Sequence, residues 1–212
     1  MTIEKEKCVA VSPVSESDRP YHHGNLREAV VTAALEVLDR EEPSAVSLRD
    51  LARTVGVRHS ALYTHFRDRS DLLAVIAGEG FKALLTEMKA TPPTQVSRLA
   101  DLAATYVRFA REHPSYYRVM FLPDVSRPEN IGRIHDGCEG CFQMLIDALH
   151  EYSVPSEEET RERAVAIWST LHGLVLLGDN SGPLHRQISP ESEGPIAARI
   201  VQVLAQGDWP SR

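Results

Sequence analysis

The stretch VGVRHSALYTHFRDRSDLL, from Val55 to Leu73, carries the clearest structural pattern in this chain. Gly56 stands at the end of one helical pattern, where a tight helix end commonly needs a residue that tolerates positive φ. Upstream, Ser47 stands where an N-cap belongs, and apolar residues follow it at helical spacing: Leu48, Leu51, Ala52 and Val55. The pattern predicts two short helices joined by a tight turn, which is a helix-turn-helix unit.

The apolar residues of this unit predict which side of the next helix, about His59–Phe66, faces inward. Leu51, Val55, Val57 and Leu62 supply a small shared core, and Ala52 is small where the two helices approach each other. The side chains that remain outward are donors and acceptors suited to phosphate oxygens and base edges in a major groove: Arg58, His59, Ser60, Tyr63, Thr64 and His65.

Ser47 and Arg69 flank this surface, and we expect both to contact the DNA backbone. Each stands at the start of a predicted helix, and helix N-termini favour phosphates through free N–H groups and partial positive charge. The alternative is an ordinary surface helix with its aromatic rings packed inward. That alternative suits any single residue here better than it suits the whole spaced pattern.

The rest of the chain also has helical periodicity, with Pro, Gly or Ser at each break. Residues 1–20 are polar and lack an apolar face, so we expect a flexible arm. No alternating strand pattern exceeds four residues, and the predicted fold class is all-α. A first helix begins at Asn25, and later helices are expected at about Asp68–Lys89, Gln95–Glu112, Pro114–Phe121, Glu129–Tyr152, Glu157–Asn180 and Pro195–Gln206.

Charge and composition permit a DNA-binding function without proving it. The formal charge of the chain is -7, yet residues 19–72 hold eight arginines and eight acidic residues and are the least negative part. No apolar run is long enough to cross a bilayer, and no signal core is visible at the start of the sequence. Three cysteines make a disulfide framework improbable, so we expect a cytoplasmic protein.

The stretch SLRDLARTVGVRHSALYTHFRDRSDLL resembles the DNA-binding domain of the TetR family of bacterial transcriptional regulators, over about residues 22–82. The resemblance implies that Tyr63 and His65 lie at the DNA backbone, and that Arg69 takes the place of the usual lysine. Two positions depart from the common pattern. Arg58 stands where a small residue often follows the turn valine, and Ala61 stands where a threonine often precedes the Leu-Tyr pair.

Three further stretches resemble a TetR subgroup whose C-terminal domain carries a Trp…His-Gly signature: YHHGNLREA (Tyr21–Ala29), REHPSYYRVMF (Arg111–Phe121) and IWSTLHGLVLL (Ile167–Leu177). The resemblance implies a homodimer formed through the last two long helices, and a near-palindromic operator in double-stranded DNA. It also implies a repressor that an unknown small molecule releases from DNA. The domains would then be an arm (1–20), a DNA-binding domain (21–82) and an effector-binding and dimerisation domain (83–212).

Trp168 and His172 are four residues apart and therefore share one helix face, which could line an apolar pocket with one polar group. Packed core or dimer interface is the alternative for this pair. Further candidate walls of a pocket, each equally explained as core, are Tyr106, Phe109, Tyr117, Met120 and Phe121.

The stretch HDGCEGC raises a second possibility, a thiol- or metal-responsive regulator on the same scaffold. His135, Cys138 and Cys141 repeat every third residue, but a structural zinc site needs four ligands and a lone CxxC pair is weak evidence. Buried apolar cysteine is the alternative, and we predict no metal site and no cofactor. His22 and His23 could also bind a metal, but they are more easily explained as residues that lie near the DNA backbone or in solvent.

An all-α enzyme is the remaining class. We find no nucleophile with a paired base and no glycine-rich phosphate loop, so we expect no enzymatic activity.

Overall fold

The computed structural model describes residues 26–152, 156–179 and 190–207, and every regular element among them is helical. This confirms the all-α class. The predicted arm and the histidines at positions 22 and 23 lie outside the described residues. The nine α-helices of the described ranges are α1 (Leu26–Leu38), α2 (Leu48–Thr54), α3 (His59–Leu62), α4 (Arg69–Ala90), α5 (Arg98–Glu112), α6 (Pro114–Met120), α7 (Ile131–Leu149), α8 (Glu157–Asp179) and α9 (Pro190–Gln206).

Helices α1, α2 and α3 form a small unit against the beginning of α4. The α1 helix buries Val30, Ala34 and Leu38, which recur at spacings of four residues and so lie on one face. The loop between α1 and α2 (residues 39–47, here the α1–α2 loop) contains a short 3₁₀ helix, Pro43–Ala45. Phe66, which is fully buried, closes the unit beneath α3.

The long helix α4 runs from the helix-turn-helix unit into the rest of the protein and packs mainly against α7 and α6. Asp68 caps it, because the Asp68 carboxylate accepts from the backbone N–H of Asp71 at 2.8 Å. Glycines allow α4 and α7 to approach closely, since a Cβ on Gly78 would collide with the carbonyl oxygen of Arg133. A Cβ on Gly137 of α7 would likewise lie 2.8 Å from the Phe81 side chain. These two glycines therefore set how closely α4 and α7 pack.

Helices α5, α8 and α9 form the other layer, in which α5 packs chiefly against α9. A buried ion pair joins the three helices. Arg111 of α5 donates from Nε to a Glu193 carboxylate oxygen at 2.7 Å, and its Nη2 donates to the Val175 carbonyl at 3.3 Å. Glu193 is almost fully buried, so this pairing fixes where α9 begins on the layer.

Several helix boundaries differ from the predicted ones for local reasons. The α3 helix ends at Leu62, because the N–H groups of Thr64 and His65 bond carbonyls three residues back and tighten the chain into turns. The α5 helix begins after Ser97, whose hydroxyl caps it by accepting from the Ala100 N–H. The α9 helix begins at Pro190, earlier than predicted, and includes Pro195.

The predicted boundary between residues 82 and 83 falls inside α4, which is continuous there. The division into domains therefore stays a prediction.

Candidate nucleic-acid interface and effector region

The helix-turn-helix unit has the predicted geometry. The Ser47 hydroxyl caps α2 by accepting from the Asp50 N–H at 3.4 Å. Gly56 adopts φ +75°, which is the left-handed conformation that the sequence pattern predicted for this helix end. The Val57 N–H then bonds the Ala52 carbonyl at 2.9 Å, which closes the turn. Leu51 and Ala52 are buried as expected, along with Leu62, while Val55 and Val57 are half-buried.

The structure leaves one side of α3 and the turn after it open to solvent. Tyr63 has 53% of its surface exposed, unusual for so large an aromatic residue, and its ring meets His59 edge-on with centroids 5.0 Å apart. The Thr64 hydroxyl donates to the Ala61 carbonyl at 2.7 Å, so it offers acceptor lone pairs outward. His65 is half-buried, whereas the other predicted contacts of this helix are exposed: Arg58, His59, Ser60, Tyr63 and Thr64.

Arg69 is placed differently from the exposed residues of α3. Its guanidinium turns toward the α1–α2 loop, where Nε donates to the Val46 carbonyl at 3.0 Å and Nη2 donates to the Pro43 carbonyl. Its third nitrogen lies 3.8 Å from a carboxylate oxygen of Asp124. The prediction that Arg69 contacts the DNA backbone stays a prediction, and the side chain has protein partners in the free chain.

A polar network that the sequence analysis did not identify joins the start of α4 to the connection between α6 and α7 (residues 121–130, here the α6–α7 segment). Asp71, 1% exposed, accepts from the Arg67 N–H at 3.0 Å and from Nε of Arg133 at 3.2 Å. Arg67 also donates to Asn130 at 2.7 Å. Burial raises the pKa of Asp71, but the hydrogen bonds and charges of Arg67 and Arg133 outweigh it and hold that pKa below its ordinary value.

Arg67 and Asp71 are four residues apart, but no local motif could have revealed their partners Arg133 and Asn130, which are about 60 residues away in sequence. The available signal was an acidic residue in the first turn of a helix at a position that the apolar pattern of α4 places inward. A buried carboxylate predicts a cationic partner without saying which one.

Five of the seven predicted effector-site residues meet in one cluster between α5, α6 and α8. The Tyr117 hydroxyl lies 2.7 Å from Nδ1 of His172 and 3.1 Å from the Tyr106 hydroxyl, so the three form a hydrogen-bonded chain. Trp168 meets the Tyr106 ring with centroids 6.0 Å apart, and Phe121 lies 4.3 Å from His172. The rings of the cluster therefore pack against one another edge-on or tilted.

Burial keeps this cluster uncharged at neutral pH. It lowers the pKa of His172 and, together with the neighbouring Tyr117, raises the pKa of Tyr106 well above the ordinary value. The cluster therefore offers hydroxyl and imidazole groups without a full charge.

The other two predicted residues lie apart from the hydrogen-bonded chain. Phe109 is fully buried, with its ring 4.8 Å from that of His113. Met120 is buried against α4, where its sulfur would lie 2.9 Å from a Cβ on Gly80. Core packing accounts for both residues in this structure.

A shallow groove of about 270 Å³ lies beside the cluster, between α7 and α8. Trp168 belongs to both, since it lines the groove and contacts Tyr106. Phe142 and Cys138 of α7 form the opposite wall. The groove thus connects solvent with the edge of the aromatic cluster.

The cysteines of α7 are poorly suited to a thiol switch. Cys141 is buried and donates toward the Phe81 carbonyl at 3.6 Å, and burial is the main cause that raises its pKa to about 12. Burial also raises the pKa of the half-buried Cys138. The thiolate is the reactive and metal-binding form, so both shifts oppose redox or metal chemistry here. His135 is exposed and interacts with Asp136.

One group of potential metal ligands was missed by the sequence analysis: Glu87, Glu112 and His113 offer atoms within 4.8 Å of one another. Arg108 already lies between the two carboxylates, 3.3 Å from Glu87 and 3.7 Å from Glu112. A cation is therefore in place, and we assign no metal to the group.

An apolar strip on α8 and α9 faces solvent. Val165, Leu176 and Leu177 of α8 and Val203 of α9 are each exposed by 45% or more. A groove of about 450 Å³ runs along α9, lined by Ile196, Arg199, Ile200, Val203 and Leu204. Contiguous exposed apolar surface is typical of interaction sites, which makes this strip a candidate for one. Among the described residues, no helix has the length and apolar character that a membrane span needs.

Comparison with known proteins assigns both halves of the chain. Residues 30–76 match the family of bacterial regulatory proteins called tetR, and residues 99–205 match the tetracyclin repressor-like C-terminal domain. An uncharacterised HTH-type transcriptional regulator of Bacillus subtilis, YobS, is 29% identical over 156 residues, which cover 73% of this chain and 79% of YobS.

Solved structures agree with this assignment. A protein of unknown function from Rhodococcus sp. RHA1 is 27% identical with a TM-score of 0.71, and the match covers 89% of this chain and all of that one. A regulatory protein of the tetR family from Rhodococcus RHA1 shares the fold, at 20% identity and a TM-score of 0.61, over 85% of this chain and 95% of that one. The Trp…His-Gly subgroup stays a prediction. The chain belongs to the TetR family of bacterial regulatory proteins and is a DNA-binding transcriptional regulator.

Proposed function

We propose that this regulator is a homodimeric repressor that binds a near-palindromic operator through α3 and leaves it when a small molecule binds the C-terminal half. The observation that carries the proposal is the side of α3 that the fold leaves exposed, with Tyr63 at its centre. Arg58, His59 and Ser60 precede it on the same open side. Arginine can donate to guanine and histidine can bond base edges or phosphate, so this side suits a major groove.

The exposed strip of α8 and α9 supports the dimer. A two-fold axis beside these helices would bury Leu176, Leu177 and Val203 of both copies, in line with the predicted dimer through the last two long helices. Such a dimer presents two α3 helices to one face of DNA, and this requires an operator with two related half-sites.

The uncharged cluster around His172 supports a neutral effector with a hydrogen-bonding group. Tyr117 and His172 can exchange their mutual hydrogen bond for one to a ligand, and Trp168 offers an apolar wall at the groove.

Tryptophan fluorescence tests this proposal, because a protein with Trp209→Phe keeps Trp168 as its single tryptophan. Its emission should change on titration with an effector, and His172→Phe should weaken that binding. A saturable emission change that is identical in the His172→Phe variant would place the ligand elsewhere.

DNA binding itself is tested by fluorescence anisotropy with a labelled pool of random-sequence duplexes at low salt. The wild-type chain should bind, and a variant with Arg58→Ala and Ser60→Ala should bind more weakly. A matched variant with Arg161→Ala, on the exposed side of α8, should bind like wild type. Equal binding by all three proteins would show that α3 is not the DNA-contacting helix.

A further inference from the structure

Arg69 has an unusual set of partners for a residue expected at the DNA backbone. Two of its nitrogens donate to main-chain carbonyls of the α1–α2 loop, those of Val46 and Pro43. This loop leads directly into Ser47 and α2, so the guanidinium holds the entry to the helix-turn-helix unit. The Arg69 side chain is only 34% exposed, which leaves a minority of it for a ligand.

The same guanidinium is linked to the effector half through the α6–α7 segment. Nη1 of Arg69 lies 3.8 Å from an Asp124 carboxylate oxygen. The Asp124 carbonyl in turn accepts from the Ser70 hydroxyl at 2.8 Å and from the Asn130 side chain at 2.9 Å. Asp124 is therefore fixed to the first turn of α4 through its backbone. Its carboxylate accepts from Nη2 of Arg127 at 2.5 Å and lies within ion-pair distance of Arg69.

The chemistry of arginine is necessary for this arrangement. Its Nε and Nη2 donate to the carbonyls of Val46 and Pro43, while Nη1 is left within ion-pair distance of the Asp124 carboxylate. A lysine ammonium at this position is a single point charge on a flexible stem, and it cannot span the same three acceptors.

We propose that Arg69 is a positioning residue for DNA binding, which fixes the α1–α2 loop, and with it α2 and α3, against the α6–α7 segment. The inference rests on the proposed function of α3 as the DNA-contacting helix. Arg69 then acts on affinity through the orientation of α2 and α3, and a displacement of the α6–α7 segment reaches these helices through Asp124. A direct phosphate contact by Arg69 is the competing account.

Replacement by lysine separates the two accounts, because Arg69→Lys keeps the charge and removes the three-way contact. We expect Arg69→Lys to weaken DNA binding by roughly 5-fold to 30-fold, the effect of losing one or two hydrogen bonds. The slope of log affinity against log salt concentration should equal the wild-type slope, since no phosphate contact is lost. Arg161→Lys, on the exposed side of α8, is the matched control and should change neither quantity.

Hydrogen exchange of the free protein gives a readout without DNA. In Arg69→Lys, amides of residues 44–51 should exchange faster than in wild type, while amides in α5 and α9 should keep wild-type rates. A uniform rise in exchange across the protein would indicate general destabilisation and would contradict a positioning role.

Two results in DNA binding would overturn the inference. Wild-type affinity in Arg69→Lys would show that charge alone suffices, as a phosphate contact requires. A decrease of the salt slope by about 0.9 in Arg69→Ala would show directly that one phosphate contact had been removed. Absence of any DNA binding by the wild-type chain is a different outcome, because it refutes the proposed function of α3 itself.

Discussion

At the scale of single residues, Tyr63 is a large aromatic side chain kept at the surface beside His59. Its hydroxyl can donate to a phosphate oxygen, a contact that carries no sequence information. We expect Tyr63→Phe to weaken binding to all DNA sequences by a similar factor, because the ring stays and only the hydroxyl is lost. Anisotropy titrations on several unrelated duplexes measure this, and unchanged affinity on all of them at moderate salt would contradict the placement.

His59→Ala is the counterpart of that substitution. If His59 reads a base edge, its loss should change the preferred sequence and cost about 1–3 kcal/mol at the affected base pair. A uniform loss across sequences would instead place His59 at the backbone.

His172 gives the chain a specific pH dependence. Its folded-state pKa lies below the ordinary 6.5 because burial disfavours the imidazolium. The unfolded chain therefore binds the proton more readily, and the stability associated with neutral His172 decreases as pH falls from about 6.5 through the folded pKa. Urea unfolding of wild type and His172→Gln across pH 5–8 should show a difference in unfolding free energy that narrows toward acid. A difference independent of pH would contradict this prediction.

The roles of individual residues were predictable to different degrees. The exposure of Arg58, His59 and Tyr63 follows from helical spacing alone, since the apolar residues of the unit leave them only one side. The partners of Arg69 could not be predicted, because two of them are main-chain carbonyls and the third lies in a distant segment. Sequence patterns do not show where a long flexible side chain turns.

At the scale of helices, the crossing of α4 and α7 depends on glycine. A Cβ on Gly78 would collide with the main-chain carbonyl of Arg133, which cannot move without moving α7. We expect Gly78→Ala to lower the unfolding free energy by about 1–3 kcal/mol through overpacking. Gly132→Ala in the first turn of α7, where a Cβ meets nothing within 4 Å, is the matched control. It should be neutral or stabilising.

Chemical denaturation measures both glycine variants. Equal stability of Gly78→Ala and the control would show that the crossing is looser than described. The pairing of α7 with α4 through Gly78 and Gly137 could not be predicted from the sequence. Helical periodicity predicts which face of a helix is buried and does not identify the helix that covers it.

At the scale of the whole molecule, the exposed strip on α8 and α9 gives a prediction for assembly. Val203, 69% exposed in a single chain, would lie in the proposed dimer interface. Val203→Glu would place a charge there on each copy, so we expect sedimentation to show monomers at concentrations where wild type is dimeric. Val96→Glu, on an exposed residue before α5, is the control and should leave the mass unchanged. A dimeric Val203→Glu protein would exclude this strip as the interface.

Whether a dimer of this protein reads DNA through α3 is tested by selecting bound sites from random duplex DNA. The selection uses the purified wild-type protein at near-physiological salt. A dimeric regulator that reads DNA through α3 should enrich one near-palindromic sequence whose half-sites are one helical turn, or a small multiple of a turn, apart. Enrichment of no sequence, with weak binding that fades as salt rises, would leave only non-specific attraction to phosphate and would contradict the account.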